Sequence, residues 1–306
     1  MTSPFQAASP RIFTIPPGAN FLACLTATLS QSLGLKDNPA ALSHTIIYTP
    51  NRRAARNLAE ACHRCADALG HKALIAPEIR VLGDLEDDVT IAPKGVSELD
   101  LGPPLSPAKR RGVLMRLIQA WRDQQNEAPL PPKSALTTAD ELSRLLDQAA
   151  MGENVDWSRL ADIVSDRELA EHWQKSVAFL SIITQMWPNF LEEEGATDPM
   201  ARRVAAAQAL AQNWAVQPPE TPIIVVGSTG ATPATRILMR AVLDLPQGLV
   251  VLPGLDPDLN DTAWTAIKET PSHPQFAMNR ALDRLGIDRT LVHSWPDIDE
   301  AGPQLA

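Results

Sequence analysis

The stretch RIFTIPPGANFLACL, residues 11–25, forms the first strand–turn–helix pattern of the chain. Its apolar start predicts a short buried strand, and the apolar residues from Phe21 onward recur at three- and four-residue steps, as in an amphipathic helix. The turn between them, TIPPGANF, lies where a nucleotide-binding protein carries its phosphate loop. The first question is therefore whether this turn can hold a phosphate.

A phosphate loop needs glycines for close backbone approach, a Lys for the β- and γ-phosphates, and a Ser or Thr for Mg²⁺. The turn consists of Pro16, Pro17, Gly18, Ala19 and Asn20, with one glycine and no lysine. The two prolines also remove two of the backbone N–H donors that would bind phosphate. We therefore predict a rigid strand-to-helix turn and no ATP binding.

The sequence outside this turn predicts an interrupted α/β domain. The segments TIIYTP and EIRVLGDL predict two more strands, with a helix at 53–69 between them. The unbroken apolar segments PIIVVG and GLVVLPG predict buried parallel strands, each followed by a helix. Between these groups only helical patterns occur. We predict a parallel-sheet domain formed by residues 1–105 and 217–306, interrupted by an all-helical insertion at 106–216.

Three local signals predict helices within the insertion. Ser106 followed by Pro107 marks a helix start, and Thr138 with Glu141 has the spacing of a capping box. A long helix is predicted at 166–194, with a kink at Pro188.

Composition limits the class of protein. Hydrophobic residues make up 44% of the chain and charged residues 21%, as in a globular protein. No apolar run reaches the roughly 18 residues of a membrane span, and the N-terminal segment lacks the pattern of a secretory signal. With three cysteines and no disulfide framework, a cytoplasmic protein is expected. The net charge of −9 argues against a nucleic-acid binder that relies on overall charge, but not against a local groove.

The clearest candidate site follows the second strand, in YTPNRRAARNLAEA. Thr49, Asn51, Arg52 and Arg53 lie where a strand ends and a helix begins, the usual ligand edge of an open α/β sheet. Their hydroxyl, amide and guanidinium groups suit phosphate oxygens. The alternative is a solvated first helical turn, although arginine is not the charge that a helix N-terminus favours.

A second candidate, VVGSTGATPATR, follows a later strand, where Ser228 and Thr229 supply hydroxyls. Thr232 before Pro233 is typical of an N-cap and needs no ligand to explain it. A working ATPase would place magnesium-binding acids on such a strand, and IIVVGS contains none.

Two other clusters are interpreted as structural. Asp256, Asp258 and Asp261 lack the glycine and glutamate of a calcium loop, so we interpret them as a polar loop with a helix cap at Asp261. The CHRC segment, with Cys62 and Cys65, has no partner pair for a four-ligand zinc site. We interpret it as two packing cysteines beside a surface histidine.

Several of these segments together resemble a known family. They occur in the family's order and cover nearly the whole chain: FTIPPGANFLACL, YTPNRRAARNLAEA, LSPAKRRGVLMRLIQAW, ELAEHWQKSVAFLSIITQMWPNFLEEEGATDPMARR, VVGSTGATPAT and LPQGLVVLPGLDPDLND. They resemble the N-terminal part of AddB, in its alphaproteobacterial form. AddB is a subunit of the bacterial AddAB helicase–nuclease that resects double-strand breaks.

The resemblance implies a RecA-like domain with a helical insertion, as in the first half of a superfamily 1 helicase. It places TIPPGANF at the phosphate-loop position, as a vestigial phosphate loop kept as a structural turn. It places TPNRRAA at a motif that touches single-stranded DNA, and GSTGATP at a later helicase motif. It implies a module without a working motor that holds DNA and an AddA-type partner, and that in some relatives helps to recognise a recombination hotspot. The family's nuclease domain and iron–sulfur cysteines lie downstream, so no cofactor and no cleavage are expected from this chain, which we interpret as a truncated form or an unusually short gene product.

Two other functions stay open at this point. A nucleotide-dependent enzyme with an unorthodox phosphate site would need an acidic magnesium ligand near the ends of IIVVG or TIIYT. A purely protein–protein scaffold is favoured by the acidic charge. It predicts that Arg52→Ala leaves DNA affinity unchanged.

Overall fold

The computed structural model describes residues 3–84, 103–151 and 175–296. The chain divides into two compact units, one formed by residues 1–98 with 206–306 and the other by residues 99–205.

The first unit is an α/β domain built on a six-stranded sheet. Its strands are β1 (Ile12–Ile15), β2 (Ile46–Thr49), β3 (Glu78–Val81), β4 (Ile223–Val226), β5 (Gly248–Pro253) and β6 (His293–Ser294). They lie in the order β3-β2-β4-β5-β1-β6, and every neighbouring pair is parallel. The prediction of an α/β fold with a parallel sheet is confirmed.

Helices connect these strands on both faces of the sheet. They are α1 (Phe21–Leu33), α2 (Arg52–Ala68), α7 (Pro233–Leu243), α8 (Asp261–Ile267) and α9 (Phe276–Leu285). Helix α1 packs against α2, whereas α7 packs against α9. The two helix pairs lie on opposite faces of the sheet because crossovers are right-handed. The connections from β1 to β3 run across the sheet in one direction, and those from β4 to β6 run in the other.

The strand order creates one place where the crossovers of two neighbouring strands lead away from each other. Strands β2 and β4 are neighbours, and the chain leaves β2 toward β3 but leaves β4 toward β5. Strands β1 and β5 are also neighbours, but each of their crossovers passes over the other strand, toward β2 and toward β6. In open α/β sheets the crevice at the carboxyl ends of two strands whose crossovers diverge, here β2 and β4, is the usual ligand site.

The core explains why the strands have these sequences. All residues of β1 and β4 are buried, so each strand is apolar along nearly its full length instead of alternating. Strand β6 was not predicted, because two residues give no readable pattern. It is held by Trp295, whose ring packs edge-on to Phe13 and whose indole N–H donates to the carbonyl of Cys24 at 3.1 Å.

In the second unit, the described residues form helices: α3 (Pro107–Gln124), α4 (Pro132–Met151), α5 (residues 175–193) and the first residues of α6 (Pro199–Val216). Ser106 caps α3, as predicted, by accepting from the N–H of Lys109 at 3.2 Å. The capping box at Thr138 was wrong, because α4 already begins at Pro132 and passes through that position.

Helix α5 contains a π-helical turn at Ile182–Met186, just before Pro188. Residues 166–174 of the predicted long helix lie outside the described residues.

One buried arginine connects three segments of this unit. The guanidinium of Arg110 donates to Ser143 Oγ at 2.9 Å and to Asp147 Oδ1 at 2.8 Å, and it lies 3.0 Å from Asp198 Oδ2. Asp198 also accepts from the N–H of Met200 in the first turn of α6. This network therefore holds α3, α4 and the start of α6 together.

Candidate nucleic-acid interface

The carboxyl edge of the sheet is closed after β4 and after β5 by this chain's own side chains. A Cβ atom placed on Gly227, after β4, would lie 3.8 Å from Phe21 Cε1 and 3.9 Å from Pro50 Cδ. A Cβ atom placed on Gly254, after β5, would lie 3.5 Å from Pro17 Cγ. Prolines and a phenylalanine ring therefore pack close to the strand ends where a nucleotide would bind in an open α/β sheet.

The turn after β1 is ordered by its own hydrogen bonds. The N–H of Ala19 donates to the carbonyl of Pro16 at 3.3 Å, and Gly18 has a φ of 90°, which favours glycine. Asn20 caps α1, with Oδ1 accepting from the N–H of Ala23 at 3.2 Å. An N–H in the loop and one at the helix N-terminus are thus used within the chain, as a structural turn requires.

Helix α2 presents a basic N-terminal end. Asn51 caps the helix, its Oδ1 accepting from the N–H of Ala54 at 2.9 Å, and the first turn contains no acidic residue. Arg52, Arg53 and Arg56 are all exposed. Their charges add to the positive end of the helix dipole, an unfavourable arrangement that a bound anion such as phosphate would relieve.

The basic start of α3 is paired within its own unit. In α3, Lys109 pairs with Glu194 at 3.0 Å, Arg111 pairs with Asp140 at 2.6 Å, and Arg110 is buried in its acidic network. Three consecutive cations of α3 are therefore balanced internally.

Two of the candidate hydroxyl residues are buried. Thr49 is 1% exposed, and its hydroxyl donates to the carbonyl of Arg80 in β3 at 3.2 Å. Ser228 is 7% exposed, and its Oγ accepts from the N–H of Gly230 at 3.3 Å. Both side chains stabilise the sheet or its turn, whereas Thr229 is half-buried and Asn51 is exposed. The exposed polar surface of the predicted site therefore consists mainly of α2 residues.

The segment after β4 is shaped by glycine. Gly230 has a φ of 67°, and a Cβ atom there would lie 2.7 Å from Ala281 Cβ. Thr232 caps α7 by accepting from the N–H of Thr235 at 3.3 Å, which confirms its predicted capping role. Packing at Gly230 and capping by Thr232 therefore account for these two residues without a bound ligand.

The remaining clusters have structural contacts. Asp258 N–H donates to Asp256 Oδ1 at 2.9 Å, and the cap of α8 is Asn260, so the predicted cap at Asp261 is off by one residue. Burial, together with the charge of Cys65, raises the pKa of the Cys62 thiol to about 12. Among the residues that the structure describes, no group of three or more potential metal ligands occurs.

Sequence reasoning missed two residues of this edge. Arg56 was readable, because it lies four residues after Arg52 and three after Arg53, on the same helical face. Phe21 was not readable, because its position beside Gly227 depends on a contact between distant parts of the chain.

The chain matches no family model and no curated protein. Within the described residues, no helix is long and apolar enough to cross a membrane.

Proposed function

We propose that this chain is a non-catalytic, RecA-like module of an AddB-type subunit in a double-strand-break repair helicase–nuclease. In that role it holds DNA at the carboxyl edge of its sheet and docks an AddA-type motor subunit. The proposal combines the sequence resemblance with the geometry of that edge.

The sheet supports the RecA-like part of the proposal. Its strands are all parallel, and the strand that precedes the turn TIPPGANF is separated from β4 by β5. This arrangement is compatible with a RecA-like domain, in which the phosphate loop follows the first strand. The described part of the second unit is helical, as a helical insertion requires.

The observation that carries the DNA-holding part is the basic start of α2. Arg52, Arg53 and Arg56 are exposed at a helix N-terminus whose first turn has no acid, at the edge where open α/β sheets bind ligands. Guanidinium groups and helix N-termini are common contacts to the phosphates of nucleic acids. Three exposed arginines at one helix start, in a chain with a net charge of −9, fit a local anionic ligand.

The same edge supports a role without ATP hydrolysis. The turn after β1 has no lysine, its N–H groups include one used internally, and Pro17 packs against the turn after β5. The residues that follow β4 are Gly227, Ser228 and Thr229, so no carboxylate is placed there for magnesium. Energy for movement along DNA would then come from the partner subunit.

A protein–protein scaffold is the second candidate, favoured by the net charge of −9. The two proposals differ in one measurable property, the dependence of DNA affinity on the arginines of α2. In a scaffold, substitution of these arginines leaves the DNA affinity unchanged.

The test is equilibrium binding of a fluorescent single-stranded oligonucleotide at low and moderate salt, with a fluorescent ATP analogue titrated in parallel. We expect salt-sensitive DNA binding that Arg52→Ala/Arg53→Ala reduces, and no saturable nucleotide binding. Absence of DNA binding at low salt would favour the scaffold. Saturable binding of the ATP analogue would refute the non-catalytic assignment.

A further inference from the structure

No further inference is drawn: the strongest candidate, the thiol pair of Cys62 and Cys65 on one face of α2 as a redox switch, carries nothing because Cβ atoms three residues apart on a helix lie about 5–6 Å from each other, farther than the roughly 3.5–4.5 Å that a disulfide spans, and because Cys62 is buried in the core.

Discussion

The hydroxyl of Thr14 makes two hydrogen bonds to the backbone of Leu255. It accepts from the N–H at 2.9 Å and donates to the carbonyl at 3.3 Å, and Thr14 is 2% exposed. Because Thr14 lies in β1 and Leu255 follows β5, this residue joins the two strand ends beside the turn TIPPGANF. The start of the turn TIPPGANF is thus held in place by a residue that lies 241 positions later in the chain.

Replacing Thr14 by Val should destabilise the sheet domain. The substitution keeps the shape of the side chain but leaves a buried N–H and a buried carbonyl of Leu255 without their partner, at a cost of about 1–3 kcal/mol. Thr14→Ser keeps the hydroxyl and should cost less. The measurement is the urea midpoint of unfolding, and equal midpoints for the two variants would show that the hydroxyl does not stabilise the fold.

Two glycines at the sheet edge should respond differently to alanine. Gly18 has a φ of 90° and nothing within 4 Å of an added Cβ, so Gly18→Ala should cost only the strain of a left-handed backbone, about 1–2 kcal/mol. Gly230 has a φ of 67°, and its Cβ would lie 2.7 Å from Ala281 Cβ. Gly230→Ala should therefore lower the thermal midpoint more. Equal shifts would mean that the contact with Ala281 relaxes freely.

The sequence predicted the features that depend on near neighbours. Apolar runs gave β4 and β5, and Ser106 and Thr232 are caps as their spacing indicated. The capping box at Thr138 failed because Pro132 starts the same helix earlier, and a local motif cannot show which of two starts is used.

Features that depend on distant contacts could not be predicted. Thr49 was placed in the candidate site because it ends a strand. Its burial follows from pairing with β3, where the carbonyl of Arg80 accepts a hydrogen bond from its hydroxyl. The position of Phe21 beside Gly227 likewise requires the strand order of the sheet.

The buried arginine of the helical unit should be essential to it. Only 9% of the Arg110 side chain is exposed, so Arg110→Met would leave Asp198, 10% exposed, without its cation, at a cost of about 3–5 kcal/mol. Arg111→Met is the matched control, since its pair with Asp140 is largely exposed and contributes less than about 1 kcal/mol. Amide hydrogen exchange in α3 and α4 should accelerate in the first variant only. Equal protection in both would contradict the assigned role.

The three cysteines should differ in reactivity. Burial raises the pKa of Cys24 and, with the charge of Cys65, raises that of Cys62 to about 12, so neither thiol is ionised near pH 8. Cys65 is half-exposed and should be alkylated first by iodoacetamide, as read by mass spectrometry of peptides. Raising the pH to 10 stays below the pKa of Cys62 and should not label it in the folded protein. Early labelling of Cys62 would contradict its burial.

If the start of α2 binds DNA phosphates, single arginine substitutions there should weaken DNA binding. Arg53→Gln and Arg56→Gln each remove one charge at that end. Arg64→Gln removes one charge from the same helix eight residues after Arg56, where the side chain is 61% exposed. That separation is about 12 Å along the helix, beyond the screening length of about 10 Å at 0.1 M salt.

The measurement is the affinity for a single-stranded oligonucleotide over a series of salt concentrations. A lost phosphate contact should reduce the slope of log K against log salt by about 0.7. We expect this reduction, with weaker binding, for Arg53→Gln and for Arg56→Gln, and an unchanged slope for Arg64→Gln. The same small change in all three variants would contradict it, because the affinity would then depend on overall charge and not on this site.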